Sequence, residues 1–125
     1  MRLLLDTSVL LNWIGNTPRI SPRLKELIRS EGNSVAYSPL SVWECRIKES
    51  KGRLSLPGDL LAVIQSKNFI ELKFTAAHAD DAGSLPSHHA DPFDRGLVAQ
   101  ARIEDLTLVT HDRLLGRYDV KLALV

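Results

Sequence analysis

The chain opens on three consecutive leucines, Leu3-Leu4-Leu5, followed at once by Asp6. An apolar run without polar alternation predicts a strand buried on both faces, as at the centre of a parallel sheet. Val9, Leu10, Trp13 and Ile14 then recur at helical spacing, predicting a helix over Thr7–Gly15 that stops at Gly15-Asn16. Ser21-Pro22 supplies a cap and a proline at the first helical position, and Leu24, Leu27 and Ile28 line one side of a helix to about Glu31. Its other side is basic, with Arg23, Lys25 and Arg29. A short strand over Ser34–Tyr37 leads to Ser38-Pro39, which opens a helix to about Ser50 with Leu40, Trp43 and Ile47 on its apolar side.

Past the loop Arg53–Gly58, Asp59–Lys67 reads as a helix with Leu60, Leu61, Val63 and Ile64 inward, and Phe69–Phe74 alternates like a half-buried strand. Thr75 caps a helix to about Gly83, and Leu85–Ala90, rich in Pro, Ser and His, is irregular. Asp91-Pro92-Phe93-Asp94 has the pattern of a capping box with proline at the first helical position, opening a helix to about Glu104. Leu106–Thr110 is a buried strand ending at His111-Asp112, Arg113–Tyr118 a short helix and Val120–Val125 a last strand. Alternating strands and helices predict one α/β domain over residues 1–125, its mainly parallel sheet covered on both faces.

Composition narrows the partners more than the fold. With 44% hydrophobic and 25% charged residues the chain is an ordinary globular one, and no stretch approaches the ~18 apolar residues of a membrane span. The buried first strand argues against a signal peptide, and a lone cysteine, Cys45, fits a reducing cytoplasm and a small core residue. A net charge of +1 leaves nucleic-acid binding to local basic patches, and Lys48, Lys51 and Arg53 offer one, although a solvated helix end accounts for them better.

The chemistry is carried by acids. Asp6 and Asp112 each follow a predicted strand, so both project from the carboxyl edge of a parallel sheet, where ligands bind. Connecting helices begin at that same edge, which brings Asp94 there in its first turn and Glu44 within its first two, roughly 9 Å along at ~1.5 Å per residue. Taken singly, Asp94 has a reading as part of a capping box, Asp112 and Asp6 as helix caps, and Glu44 as an i, i+4 partner of Lys48. Asp91 fits a cap better than a ligand, and Asp80 and Asp81 a solvated helix face. Two carboxylates ~4 Å apart repel by about 4 kcal/mol at an effective dielectric of 20, so four gathered at one edge point to a divalent cation. Oxygen donors suit Mg²⁺ or Mn²⁺, ions that bind phosphates and acidify water, and the implied reaction is phosphodiester hydrolysis.

The blocks Leu3-Leu4-Leu5-Asp6-Thr7-Ser8, Ser41-Val42-Trp43-Glu44 with Lys48 and Gly52, His89-Ala90-Asp91-Pro92-Phe93-Asp94-Arg95 and Leu108-Val109-Thr110-His111-Asp112 resemble the PIN-domain ribonucleases, specifically the VapC-like toxins. The resemblance implies a three-layer α/β/α fold, an Mg²⁺- or Mn²⁺-dependent endoribonuclease acting on RNA, a VapB-like antitoxin as partner and a homodimer. It carries the metal-binding acids onto Asp6, Glu44, Asp94 and Asp112, places a site hydroxyl at Thr110, and gives Thr7 a hydrogen bond to Asp6. Ser8 stands where the subgroup often has His, and Gly96 where a larger apolar residue is usual. The family's products carry 5′-phosphate and 3′-hydroxyl ends.

Arg95 and Arg113, each beside a site acid, have two open roles: contact with RNA phosphates or neutralisation of the cluster. His88 and His89 read as loop residues or as supports behind the acids. A receiver domain would need an aspartate after the third strand, which Phe69–Thr75 lacks, and a haloacid-dehalogenase-type phosphatase a second Asp at the position of Ser8. The remaining rival is a PIN-like module that keeps the acids as caps and binds RNA or protein without cutting it.

Overall fold

Neighbouring leucines of the first strand serve opposite cores. In the computed structural model, which describes residues 1–125, Leu3 and Leu5 pack with Val9, Leu10, Leu24 and Ile64 on one face of the sheet. Leu4 packs with Leu97, Val98, Leu108 and Leu115 on the other. Two-residue periodicity thus turns one apolar run into the seam between two helical layers, giving the three-layer α/β/α arrangement.

The sheet holds five strands, β1 Arg2–Leu5, β2 Ser34–Tyr37, β3 Ile70–Glu71, β4 Thr107–Thr110 and β5 Lys121–Leu124, all parallel in the order β3-β2-β1-β4-β5. Leu4 pairs with Ala36 on one side and Leu108 on the other, so β1 is central. The helices are α1 Thr7–Gly15, α2 Pro22–Arg29, α3 Pro39–Ser50, α4 Leu60–Gln65, α5 Ala76–Ser84 and α6 Pro92–Ile103, with a 3₁₀ turn over Arg113–Arg117. α5 lies along α6, and α3 touches both α1 and α6. No helix is long and apolar enough to cross a membrane.

Several expectations are corrected in detail. The strand expected over Phe69–Phe74 is a ladder of two residues, because its partner β2 turns away at Ser38, whose hydroxyl caps α3. The chain beyond is held instead by the fully buried Gln100, whose side-chain amide donates to the carbonyls of Leu72 and Lys73 at 3.0 and 3.4 Å. α2 ends at Arg29 and α4 at Gln65, both short of expectation, and Leu61 faces outward. The box at the start of α6 is half formed: the Asp91 carboxylate accepts from the Phe93 and Asp94 amides, but the Asp91 amide donates to His89 Nδ1 and not to the Asp94 carboxylate. Asp81 is ion-paired with Arg102 at 3.3 Å.

Two residues noted in the sequence find their reasons here. A Cβ on Gly96 would lie 2.5 Å from Leu40 Cδ1 and 3.4 Å from Phe74, so the glycine lets α6 approach α3. Cys45 is buried, and burial together with the adjacent Glu44 charge pushes its thiol up to about 11. It is a core residue and no nucleophile. Gln100→Ala should cost about 1–3 kcal/mol by leaving two carbonyls unpaired, read from urea unfolding, and an unchanged midpoint would contradict this role.

Candidate metal centre

β1 and β4 are neighbours, so Asp6 and Asp112, just past their ends, emerge side by side. Asp6 caps α1, its Oδ1 accepting from the Val9 amide at 2.8 Å, and is only 4% exposed. Asp112 caps the 3₁₀ turn through Oδ1, at 2.9 Å from the Leu114 amide. Thr110 ties the two together: its hydroxyl accepts from the Asp112 amide at 3.0 Å and donates to Asp6 Oδ2 in a very short bond. The amide donor settles which way that hydroxyl points, and both acids are held by one side chain.

Glu44 arrives from α3 and Asp94 from the first turn of α6. All four acids line one cavity of ≈ 310 Å³ with Thr7, Ser8, Lys48, Asp91 and His111, and no hydrophobic residue lines it. A larger groove of ≈ 730 Å³ lies where β2 and β3 begin, lined by Trp13, Ile20, Ile28 and Phe69 with Lys25, Arg29 and Lys67. It contains no carboxylate, so size does not locate the chemistry.

Burial and mutual repulsion set the charges. Desolvation, then the Asp91 charge, and then those of Asp6 and Glu44 raise the Asp94 carboxyl to about 7, against a smaller lowering by His89. Asp6 is also raised, by desolvation, despite the bonds from Thr110 and Val9. Lys48 donates to Glu44 Oε2 at 3.0 Å, and although burial lowers its ammonium pKa, the Glu44 contact outweighs burial and raises it. Glu44 Oε1, in a residue only 5% exposed, has no hydrogen-bond partner at all.

His89 is the residue that sequence reasoning placed too loosely. Its Nε2 lies 3.1 Å from Asp112 Oδ2 and 3.3 Å from Asp94 Oδ2, and the three groups have ligand atoms within 4.8 Å of one another. Because Nδ1 accepts the Asp91 amide at 3.1 Å, the ring proton sits on Nε2. His89 therefore meets both carboxylates as a donor, and bridges them without offering a lone pair to a cation. Nothing in the local spelling His-Ala-Asp-Pro marks this; it depends on the irregular segment folding back over the pocket.

The remaining candidates divide. Thr7 lines the cavity, but its hydroxyl donates to Ser41 at 2.9 Å rather than to Asp6, because α3 sets Ser41 against α1. Arg95 does neither thing expected of it: its guanidinium donates to the carbonyls of Ala82, Leu85, Pro86 and His89, so it fastens the segment that carries His89. Arg113 is exposed. His111, missed in the sequence, donates from Nδ1 to the Val125 main-chain oxygen at 2.6 Å, which leaves Nε2 to accept from Asn12 at 3.2 Å.

Three carboxylates and a fourth with an unpartnered buried oxygen form a hard, all-oxygen donor set around a polar cavity, a fit for a divalent cation such as Mg²⁺ or Mn²⁺. The parallel sheet with acids converging at its carboxyl edge defines a class of α/β proteins with an acidic edge site. The chain matches the PIN domain family over residues 3–121 and belongs to it. Similar solved structures include VapBC2 from Rickettsia felis bound to a DNA fragment from its promoter, at TM-score 0.69 and 20% identity over 100% of this chain and 99% of that one. DNA-bound VapBC from Salmonella typhimurium gives 0.69 and 20%, covering 98% and 97%. VapBC-5 from Mycobacterium tuberculosis, of a toxin–antitoxin family, gives 0.63 and 18%, covering 99% and 98%. No curated protein matches the chain.

In the metal-free chain, folded Asp94 keeps its proton up to about 7 whereas an unfolded aspartate loses it near 3.8, so stability falls as pH rises through that window. Asp94→Asn removes this loss. In chelator the variant should melt increasingly above wild type from pH 4.5 to pH 8, by about 1 kcal/mol or more at the upper end, and a variant that melts lower throughout would mean that the carboxylate is structural.

Proposed function

We propose that this chain is a metal-dependent endoribonuclease acting as a VapC-like toxin, with RNA as substrate and a VapB-like antitoxin as partner. The observation that carries the reading is the buried, unpartnered Oε1 of Glu44, in a side chain that lines the same cavity as Asp6, Asp94 and Asp112. A carboxylate oxygen in that position is costly unless a cation meets it. Membership of the PIN domain family and the likeness to VapBC structures support the same reading.

In this mechanism Asp6, Glu44, Asp94 and Asp112 would hold one or two Mg²⁺ or Mn²⁺ ions. Bound there, such ions would acidify water and offset the charge of the scissile phosphate. The chain's own residues do the positioning. Thr110 orients Asp6 and the backbone of Asp112, Lys48 holds Glu44 through Oε2 and leaves Oε1 unpaired, and His89 draws Asp94 and Asp112 together. Asp6 and Asp112 each use one oxygen as a cap and keep the other for the site.

A homodimer in the cytoplasm, inhibited by an antitoxin that places Arg or Lys among the carboxylates, completes the proposal. The caps made by Asp6 and Asp112 favour one rival, a module that binds without cutting. Calorimetric titration with Mn²⁺ separates the two: wild type should give heat that Asp6→Asn largely abolishes, and equal heats would favour the rival. Incubated with single-stranded RNA and Mg²⁺, the chain should leave 5′-phosphate and 3′-hydroxyl ends, and Glu44→Gln should cut about 10²-fold more slowly or worse. Ends of 2′,3′-cyclic phosphate would overturn the mechanism.

A further inference from the structure

A second cavity, of ≈ 370 Å³, adjoins the acid pocket and shares Glu44, Lys48 and Asp91 with it. Its other lining includes Ile47, Lys51, Arg53, Pro92 and Phe93. Phe93 packs edge-to-face against Trp43, with ring centroids 5.3 Å apart at 83°. Each ring immediately precedes a site acid, Trp43 before Glu44 and Phe93 before Asp94, so the aromatic pair is fixed to the same two helix starts as the pocket.

Core packing does not account for Trp43. It is 61% exposed, and joins neither hydrophobic core. Lys51 and Arg53 are exposed and make no ion pair within the chain, in contrast to Lys48, which is held by Glu44. An exposed aromatic ring beside uncommitted cations is the combination that holds a single-stranded nucleic acid, whose bases stack while its phosphates meet positive charge.

We infer that this cavity seats a nucleotide of single-stranded RNA next to the scissile bond, its base on the Trp43–Phe93 pair and its phosphate on Lys51 and Arg53. The inference rests on the nuclease reading, which it deepens by adding a place for the substrate. It also gives the acid pocket what it lacks. A row of carboxylates repels a polyanion, and the cations that attract one, Lys51 and Arg53, follow the end of α3 and line the adjoining cavity. A protein partner has less to recommend it here, because the cations are unpaired and border the reacting centre.

The test uses the full chain carrying Asp94→Asn to stop cutting and Trp13→Phe to leave Trp43 as the sole tryptophan. Titrated with a ten-nucleotide single-stranded RNA in Mg²⁺, Trp43 emission should be quenched. With fluorescein-labelled RNA followed by anisotropy, Trp43→Ala should weaken binding about tenfold or more, and Trp43→Phe should restore most of it. Lys51→Ala with Arg53→Ala should weaken binding and lower the salt dependence by about one to two phosphate contacts. If the RNA binds with unchanged Trp43 emission and the alanine variants bind within twofold of the parent, the subsite is wrong while the nuclease reading stands on wild-type cutting. The subsite is equally wrong if Trp43→Ala alters only self-association or capture of a protein partner. If wild type neither cuts nor binds RNA, the nuclease reading itself has failed, and the subsite with it.

Discussion

Like-charged carboxylates gathered around one polar hollow are the constraint that the rest of the molecule answers to. Two such groups a few ångströms apart repel by about 4 kcal/mol at an effective dielectric of 20, and this chain places four around one cavity with Asp91 beside them. Burial raises Asp6 and Asp94 in the direction of the neutral acid, Lys48 offsets part of the charge, and His89 donates to two of the acids. The compensation is incomplete, and Glu44 Oε1 is where it runs out. A site arranged in this way is destabilised by its own charge, and that repulsion is what the proposed cation would relieve.

The fold makes the arrangement rigid. β1 lies at the centre of a parallel sheet, so the residue that leaves it, Asp6, is fixed by cores on both faces before any side chain at the site is considered. Thr110 couples β4 to β1 through the acids themselves, while Arg95 fastens the Leu85–Ala90 segment so that His89 reaches two carboxylates. Support thus passes inward from backbone to brace to acid. An arginine beside the site serves it from behind, through main-chain oxygens, and the positive charge that meets solvent lies further along, past the end of α3 at Lys51 and Arg53.

How much of this could be read from the residues depended on range. Buried strands such as Leu3–Leu5 and Leu108–Thr110 show in any apolar run, and helix starts at Ser21-Pro22, Ser38-Pro39 and Asp91-Pro92 are spelled out by cap and proline, so the sheet edge and the convergence of Asp6, Glu44, Asp94 and Asp112 were legible. β3 was overdrawn, since alternation in Phe69–Phe74 says nothing about β2 ending at Tyr37. Hydrogen bonds between distant segments were also out of reach. The Thr7–Ser41 bond, the His89 bridge and the turn of Arg95 toward Ala82 and Leu85 are properties of tertiary geometry, and short spacing rules do not carry them.

The central claim is that these acids share one electrostatic environment which a divalent cation relieves. Carbon-detected NMR of the aspartate and glutamate carboxyls, followed through a pH titration of the metal-free chain, reads this directly. Asp94 should titrate near 7, far above an ordinary aspartate, and adding Mg²⁺ should drive its apparent titration sharply downward and move the carboxyl resonances of Asp6, Glu44 and Asp112. An Asp94 carboxyl that titrates like an ordinary aspartate, with site resonances that ignore Mg²⁺, would contradict the account.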